Sequence, residues 1–126
     1  TYAYFRQTVL GKGDFRLGTR DMHGSKDVVD LVEKTPCAVG YSGLAYANDH
    51  VKLARIAQET GGECVTPSVE SASDGSYPIA RSLLMYTSGE PTGYVGAYLD
   101  WIKSETGQCI ILKMGYASTA EVNCGG

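Results

Sequence analysis

Residues 36–47, Pro-Cys-Ala-Val-Gly-Tyr-Ser-Gly-Leu-Ala-Tyr-Ala, bear on the expected fold class more than any other segment. Their first part, residues 37–41, is a short apolar run that favours a buried strand. A helix is predicted just before it, with Ser25 as N-cap and Asp27 in the first turn, where the helix dipole favours an acid. Thr35-Pro36 ends this helix, because the residue before proline disfavours helical backbone. Its apolar face comprises Val28, Val29, Leu31 and Val32.

The rest of the chain mixes the same two kinds of element. Strands are predicted at 51–56 and 77–87, and helices at 2–9, 94–102 and 109–114, with a break at 105–107. Residues 59–76 are rich in Gly, Ser, Thr and Pro and are predicted to form a surface loop or a connection between lobes. Gly115 is expected to cap the last helix. Helices and strands in this order predict a layered α/β domain.

Composition limits the class of protein. The chain has 126 residues, enough for one domain or a piece of a larger protein. Apolar residues make up 43% and charged residues 20%, which argues against intrinsic disorder. A net charge of −3 gives no basic patch for nucleic acid, and no apolar run approaches the ~18 residues that span a bilayer. The chain opens at Thr1 without a methionine, so we expect a processed or excised product whose missing signal peptide says nothing about its compartment.

No catalytic motif stands out. His23 and His50 are isolated in polar segments, and a solvent-facing position is favoured over acid–base work for both. There is no GxSxG elbow, and no phosphate-cradling glycine motif is followed by a suitable helix. The four cysteines lack metal-site spacing, so structural zinc is disfavoured and the three possible disulfide pairings stay open: Cys37, Cys64, Cys109 and Cys124.

Binding is favoured over catalysis by two predicted helix starts, at Thr1 and at Gly24-Ser25. The first turn of a helix carries free N–H groups and the positive end of the dipole, so it suits an anion. Ordinary capping is the simpler interpretation of both starts, since every helix needs it.

Five segments in order resemble one known family. They are Thr1-Tyr-Ala-Tyr-Phe-Arg-Gln-Thr-Val-Leu10, Met22-His-Gly-Ser-Lys-Asp-Val-Val-Asp-Leu-Val32, residues 36–47, Ser76-Tyr-Pro-Ile-Ala-Arg-Ser-Leu-Leu-Met-Tyr-Thr87, and Leu99-Asp-Trp-Ile-Lys-Ser-Glu-Thr-Gly-Gln108 with Lys113-Met-Gly-Tyr116. From Thr1 to about Ala117 the chain resembles the C-terminal part of the periplasmic phosphate-binding proteins, the type 2 receptors of phosphate ABC transporters. Residues 36–47 are similar to the family's PGAIGY…YA strand, with Cys37 where the family has a glycine.

The resemblance implies a two-lobe receptor that binds inorganic phosphate and delivers it to a membrane permease without catalysis or a cofactor. Residues 1–76 would be a second-lobe segment that follows the anion-binding loop. Residues 77–126 would be the return strand and C-terminal helices of the first lobe, so the α/β lobe is incomplete here and its N-terminal partner is missing. A periplasmic or extracellular location is implied, with a membrane anchor in the missing N-terminal segment left open. A sensory or interaction module cut from a larger protein is the alternative.

Among the family's phosphate ligands, the resemblance maps only the threonine of a Ser-Gly-Thr loop, onto Thr1. Ser25 is added from the helix-start argument. The family's arginine and acidic acceptor would lie upstream, so this piece alone is expected to bind phosphate poorly. Arg81, on the predicted return strand, would either face the cleft or form a salt bridge at the hinge, and the salt bridge is favoured.

The family context also narrows the cysteine pairing. Export to an oxidising compartment permits disulfides. The resemblance places Cys37 and Cys64 in one segment and Cys109 and Cys124 in the other. It therefore implies the pairs Cys37–Cys64 and Cys109–Cys124.

Overall fold

The computed structural model describes residues 1–125, and helices are the main regular elements of that part of the chain. The helices are α1 (Tyr2–Thr8), α2 (Ser25–Lys34), α3 (Val69–Ser73), α4 (Gly93–Lys103) and α5 (Glu105–Lys113), with one 3-10 turn at Leu44–Tyr46. Strand pairing in the described residues is limited to an isolated antiparallel bridge between Ile56 and Val65.

Four of the helices were predicted from the sequence, with small shifts at their ends. The N-cap of α2 is Gly24 rather than Ser25, which is the first helical residue. Its end is as expected, because Thr35 takes extended backbone before Pro36. The break predicted at 105–107 is wrong, since those residues already belong to α5 and the single residue Ser104 both ends α4 and caps α5. Gly115 follows α5 with φ +79°, the left-handed conformation that a C-terminal glycine supplies.

The predicted strands are not formed within the described residues. Of the segments 37–41, 51–56 and 77–87, only Ile56 takes part in a β-bridge. A strand depends on hydrogen bonds to a neighbouring strand, and residues 1–125 supply no such ladder. Four apolar residues of the last segment are between 61% and 85% exposed: Leu83, Leu84, Met85 and Tyr86. The layered α/β class expected from the sequence is therefore not confirmed by residues 1–125, which are mostly helix and irregular structure.

Helix α3 lies inside the segment that was predicted to be a loop. Its start is a capping box, in which the Ser68 hydroxyl accepts from the Ser71 N–H at 3.1 Å and the Ser71 hydroxyl accepts from the Ser68 N–H at 2.9 Å. In a capping box the residue three positions after the N-cap, here Ser71, is usually Glu or Gln. A serine there is a weak sequence signal, and the polar composition around it indicates a loop.

Aromatic stacking holds the N-terminal part together. Phe5 of α1 stacks on Tyr41 with ring centroids 4.0 Å apart, and Phe15 lies against both rings. The loop that carries Phe15 is fixed by Arg6, which donates to Asp14 at 2.8 Å and 3.2 Å. The segment before Tyr41 is therefore kept near α1 although it forms no strand.

The same segment passes close over α2. A Cβ added at Gly40 would lie 2.8 Å from Cγ1 of Val28 and 2.9 Å from Cγ2 of Val32, which is too close for any real side chain. Val29 of this helix is buried. The amphipathic face predicted for α2 is thus covered by the chain that follows it.

A compact corner forms where α4 contacts α5. Gly107 is required there, because a Cβ would collide with the carbonyl oxygens of Trp101 and Ile102. The predicted disulfide Cys109–Cys124 is present, with Cα atoms 5.4 Å apart, and attaches the C-terminal segment to α5. The predicted pair Cys37–Cys64 is wrong, since both thiols are free and exposed.

Candidate functional site

Thr1 lies at the N-cap position of α1 and is exposed. Its carbonyl accepts the first helical hydrogen bond, from the Phe5 N–H at 2.9 Å. Its hydroxyl oxygen accepts a hydrogen bond from Nη2 of Arg81 at 3.2 Å. A hydroxyl can accept and donate at once, so this contact leaves the Thr1 proton able to donate to a further acceptor.

Arg81 reaches Thr1 from a platform made by Tyr4. The guanidinium carbon lies 5.6 Å from the centre of the Tyr4 ring, within the range of a cation–π contact. The Tyr4 hydroxyl donates to the carbonyl of Ala80 at 3.0 Å, which fixes the backbone next to Arg81. The salt bridge favoured for Arg81 is not formed within residues 1–125, where the ion pairs are Arg6–Asp14 and Lys26–Asp30. Its role is a contact with a predicted ligand instead.

Ser25, the second predicted ligand, is half-buried at the first position of α2. Because the N-cap is Gly24, no side chain caps the first N–H groups of this helix. The Ser25 carbonyl accepts a hydrogen bond from the hydroxyl of Ser42 at 3.0 Å. An acidic group is close by, since a Cβ added at Gly24 would lie 3.4 Å from Oδ2 of Asp27.

The starts of α1 and α2 are connected through two adjacent residues. Tyr41 stacks on Phe5, one turn after Thr1, and Ser42 binds the carbonyl of Ser25. Burial raises the pKa of Tyr41, with Asp21 as a smaller contributor, so the ring is packed and the phenol stays neutral. Each predicted ligand is therefore supported by the same short segment, although the structure does not join the two directly.

Sequence reasoning had singled out neither Tyr4 nor Ser42. Tyr4 lies on α1 among several tyrosines, and Ser42 is one of many serines, so their types alone carry no signal. Only the contacts with residues 80 and 25 distinguish them.

The other candidate groups lie outside this arrangement. His23 and His50 are exposed, as expected, and His50 donates its backbone N–H to Asn48 at 3.0 Å. Within residues 1–125, no group of three or more His, Cys, Asp or Glu side chains is placed to hold a metal ion. None of the helices described there has the length and apolar character that a membrane crossing needs.

A surface depression of about 340 Å³ next to α1 is lined by Tyr2, Arg6 and Lys12, with neither Thr1 nor Arg81 among its residues.

Helix starts, hydroxyls and an arginine are groups that can bind an anion. No protein-family model matches the chain, and no solved structure matches it. Similarity is found to curated proteins. The phosphate-binding protein PstS of Pseudomonas aeruginosa strain PAO1 is 34% identical over 120 residues, which are 92% of this chain and 37% of that protein.

Two further relatives agree with this match. PstS of Bacillus subtilis is 31% identical over 78% of this chain and 31% of its own length. Protein SphX of Synechococcus elongatus is 34% identical over 70% of this chain and 27% of its own. The chain is PstS-like and corresponds to a C-terminal part of such a protein, spanning about 37% of the length of the Pseudomonas relative. The PstS relatives are named for binding and not for catalysis, which agrees with the prediction that the chain is not an enzyme.

Proposed function

We propose that these residues belong to a longer receptor that binds inorganic phosphate and delivers it to the membrane permease of an ABC importer. The similarity to proteins named phosphate-binding protein supports the ligand. The observation in the structure that carries the proposal is the contact of Arg81 with the Thr1 hydroxyl, since it brings a positive charge to a mapped ligand from a segment 80 residues away.

Thr1 and Ser25 are the proposed ligands in this part of the receptor. The hydroxyl of Thr1 would donate to a phosphate oxygen, and the uncapped start of α2 would contribute the Ser25 hydroxyl together with backbone N–H groups. Asp27 beside that start suits protonated phosphate, because a carboxylate can accept its proton. The same carboxylate repels sulfate, which has no proton to donate at neutral pH. Phosphate is thus favoured over sulfate on charge and hydrogen bonding alone.

The division of the chain is proposed as 1–76 in the second lobe and 77–126 returning to the first, with residue 126 outside the described part. Support comes from the exposed apolar residues 83–86, because a contiguous apolar patch is unusual on the solvent-exposed surface of a complete protein. In the complete receptor a first-lobe sheet would pair with this segment and cover it. The layered α/β fold expected from the sequence would then be reached by the whole protein.

A periplasmic or extracellular location is proposed for the receptor. The disulfide Cys109–Cys124 supports it, because disulfides persist in oxidising compartments. The permease would meet the receptor there, on the outer face of the membrane.

The experiment is isothermal titration calorimetry of the longer receptor with phosphate and, separately, with sulfate. Phosphate should bind tightly and sulfate far more weakly. Thr1→Val and Ser25→Ala should each weaken phosphate binding, whereas Ser88→Ala, at an exposed serine outside the proposed ligand set, should not. Another oxyanion binding far more tightly than phosphate would refute the assignment. Sub-micromolar binding by the 126-residue chain alone would show that the ligand set here is more complete than proposed.

A further inference from the structure

The start of α1 is attached to the segment 80–81 by three contacts between residues far apart in sequence. The Tyr4 hydroxyl donates to the Ala80 carbonyl at 3.0 Å. Nη2 of Arg81 donates to the Thr1 hydroxyl at 3.2 Å. The Arg81 guanidinium also lies over the Tyr4 ring, 5.6 Å from its centre. Because the contacts share residues, Tyr4 fixes both the backbone and the side chain that reach Thr1.

The Arg81 contact constrains the direction of the Thr1 proton. A threonine hydroxyl has one proton to donate and two lone pairs that accept, and its proton otherwise rotates freely. Arginine has only donors, so the Thr1 oxygen must accept from it and cannot donate to it. One lone pair is thereby used, and the proton is left to point toward another acceptor.

We propose that Arg81 is a positioning residue, which holds the Thr1 hydroxyl with its proton directed at the bound anion. This rests on the proposed function, in which that anion is phosphate. Arg81 acts through Thr1 and does not itself need to touch phosphate. It would also make anion affinity depend on the attachment of segment 80–81 to α1, because loss of the Tyr4 contact would let the guanidinium move away.

Arginine suits this role better than lysine. Its planar guanidinium can lie against the Tyr4 ring while an N–H points sideways at Thr1, whereas a lysine ammonium is a compact, strongly hydrated charge on a flexible stem. A glutamine at this position keeps an N–H donor but loses the charge. Arg81→Gln loses only the charge and Arg81→Leu loses both the charge and the donor, so comparing them separates hydrogen bonding from charge.

The test is a double-mutant cycle in the longer receptor, read as phosphate affinity by calorimetry. Arg81→Leu should weaken binding about three- to tenfold, the cost of one hydrogen bond. Arg81→Gln should restore part of that loss, and raising the salt concentration should not abolish the difference between Leu and Gln. In a Thr1→Val background, Arg81→Leu should cause no further loss, because the group through which it acts is gone.

Arg55→Leu is the matched control, since it also removes one exposed arginine, which bonds the Cys64 carbonyl instead. It should leave phosphate affinity unchanged. Additive losses in Thr1→Val and Arg81→Leu would overturn the positioning role in favour of a direct or purely electrostatic one, as would a loss in Arg81→Gln equal to that in Arg81→Leu. Failure of the unmodified receptor to bind phosphate would instead refute the proposed function. Thermal unfolding of each variant identifies a folding defect, and Arg81→Gln then supplies the comparison if Arg81→Leu does not fold.

Discussion

The side-chain oxygen of Gln108 accepts two hydrogen bonds from Thr119, one from the backbone N–H at 2.7 Å and one from the hydroxyl at 3.0 Å. The amide nitrogen of the same side chain donates to the carbonyl of Ile102 at 2.8 Å. Gln108 is only 1% exposed, so its own amide group depends on these bonds, although Thr119 is itself exposed. One buried polar side chain thus ties the C-terminal segment to the corner between α4 and α5.

Replacing Gln108 should therefore destabilise this corner. Gln108→Leu keeps a similar volume but leaves the Ile102 carbonyl and the Thr119 N–H without their partner, so it should lower the free energy of unfolding by about 1–3 kcal/mol. Urea unfolding followed by circular dichroism measures this. Gln7→Leu, an exposed glutamine of α1, is the control and should change stability by less than about 0.5 kcal/mol. Equal effects in the two variants would contradict the buried role of Gln108.

The disulfide should stabilise the same region. Cys109 and Cys124 are 15 residues apart, and a loop of that length gives about 3 kcal/mol in the chain-entropy model. The double variant Cys109→Ser/Cys124→Ser should lose stability of that order. Cys37 and Cys64, whose thiols are free and exposed, provide the control: Cys37→Ser/Cys64→Ser should have little effect on the free energy of unfolding. A non-reducing peptide map that showed a Cys37–Cys64 disulfide would contradict the control. A map that showed Cys109 and Cys124 as free thiols would contradict the stabilising role of their disulfide.

Cys37 has a backbone conformation that suits glycine. Its φ is +63°, in the left-handed region, where a side chain other than glycine costs about 1–2 kcal/mol. The phosphate-binding proteins that the sequence resembles have glycine at this position. Cys37→Gly should raise the free energy of unfolding by about 0.5–1 kcal/mol once the greater freedom of unfolded glycine is counted. Cys37→Ala should give no such gain, and an equal gain from alanine would assign the effect to the lost thiol rather than to the backbone.

Gly40 should tolerate no side chain. Gly40→Ala would place a methyl group 2.8 Å from Cγ1 of Val28, so segment 38–43 should be displaced from α2 at a cost of about 1–3 kcal/mol. In a Val28→Ala background the same substitution should cost less, since one of the two obstructing methyl groups is removed and only that of Val32 remains. Gly125→Ala is the control, because a Cβ there meets nothing within 4 Å. Strictly additive effects of the Gly40 and Val28 changes would contradict the close approach.

Stability should fall at alkaline pH. Burial raises the pKa of Tyr41, Tyr77 and Tyr116 above the ordinary value near 10. An acidic group whose pKa is raised by folding contributes stability below its unfolded pKa and loses it as the pH rises through the folded one. The free energy of unfolding should therefore decline above about pH 10. Tyr77→Phe should reduce that decline, whereas Tyr94→Phe, on a fully exposed ring, should not; identical pH profiles for both would exclude burial of Tyr77 as a cause.

Helices were predictable because their signals are local. The apolar face of α2, the stop at Thr35-Pro36 and the glycine after α5 act within a few residues of each other. Strands were not, because the same apolar segments form strands only when another strand pairs with them. Segment 77–87 has the pattern without the partner, and it stays irregular in residues 1–125.

For the candidate site, Thr1 came from the family resemblance and Ser25 from the signals of a helix start. Arg81 was expected to face the cleft or, preferably, to form a hinge salt bridge; within residues 1–125 its contacts are the Thr1 hydroxyl and the Tyr4 ring. No spacing in the sequence brings together residues that are 76 and 80 positions apart.

The sequence by itself determined the helical segments, the disulfide-bonded C-terminal segment implied by the resemblance, and the kinship to phosphate-binding proteins, because each depends on local pattern or on the order of motifs. The tertiary structure alone decided that Cys37 and Cys64 stay free, which segments form no strand, and that Arg81 contacts Thr1. These outcomes depend on contacts between distant residues, whose free energy comes from packing and hydrogen bonding in three dimensions rather than from the propensities of neighbouring residues.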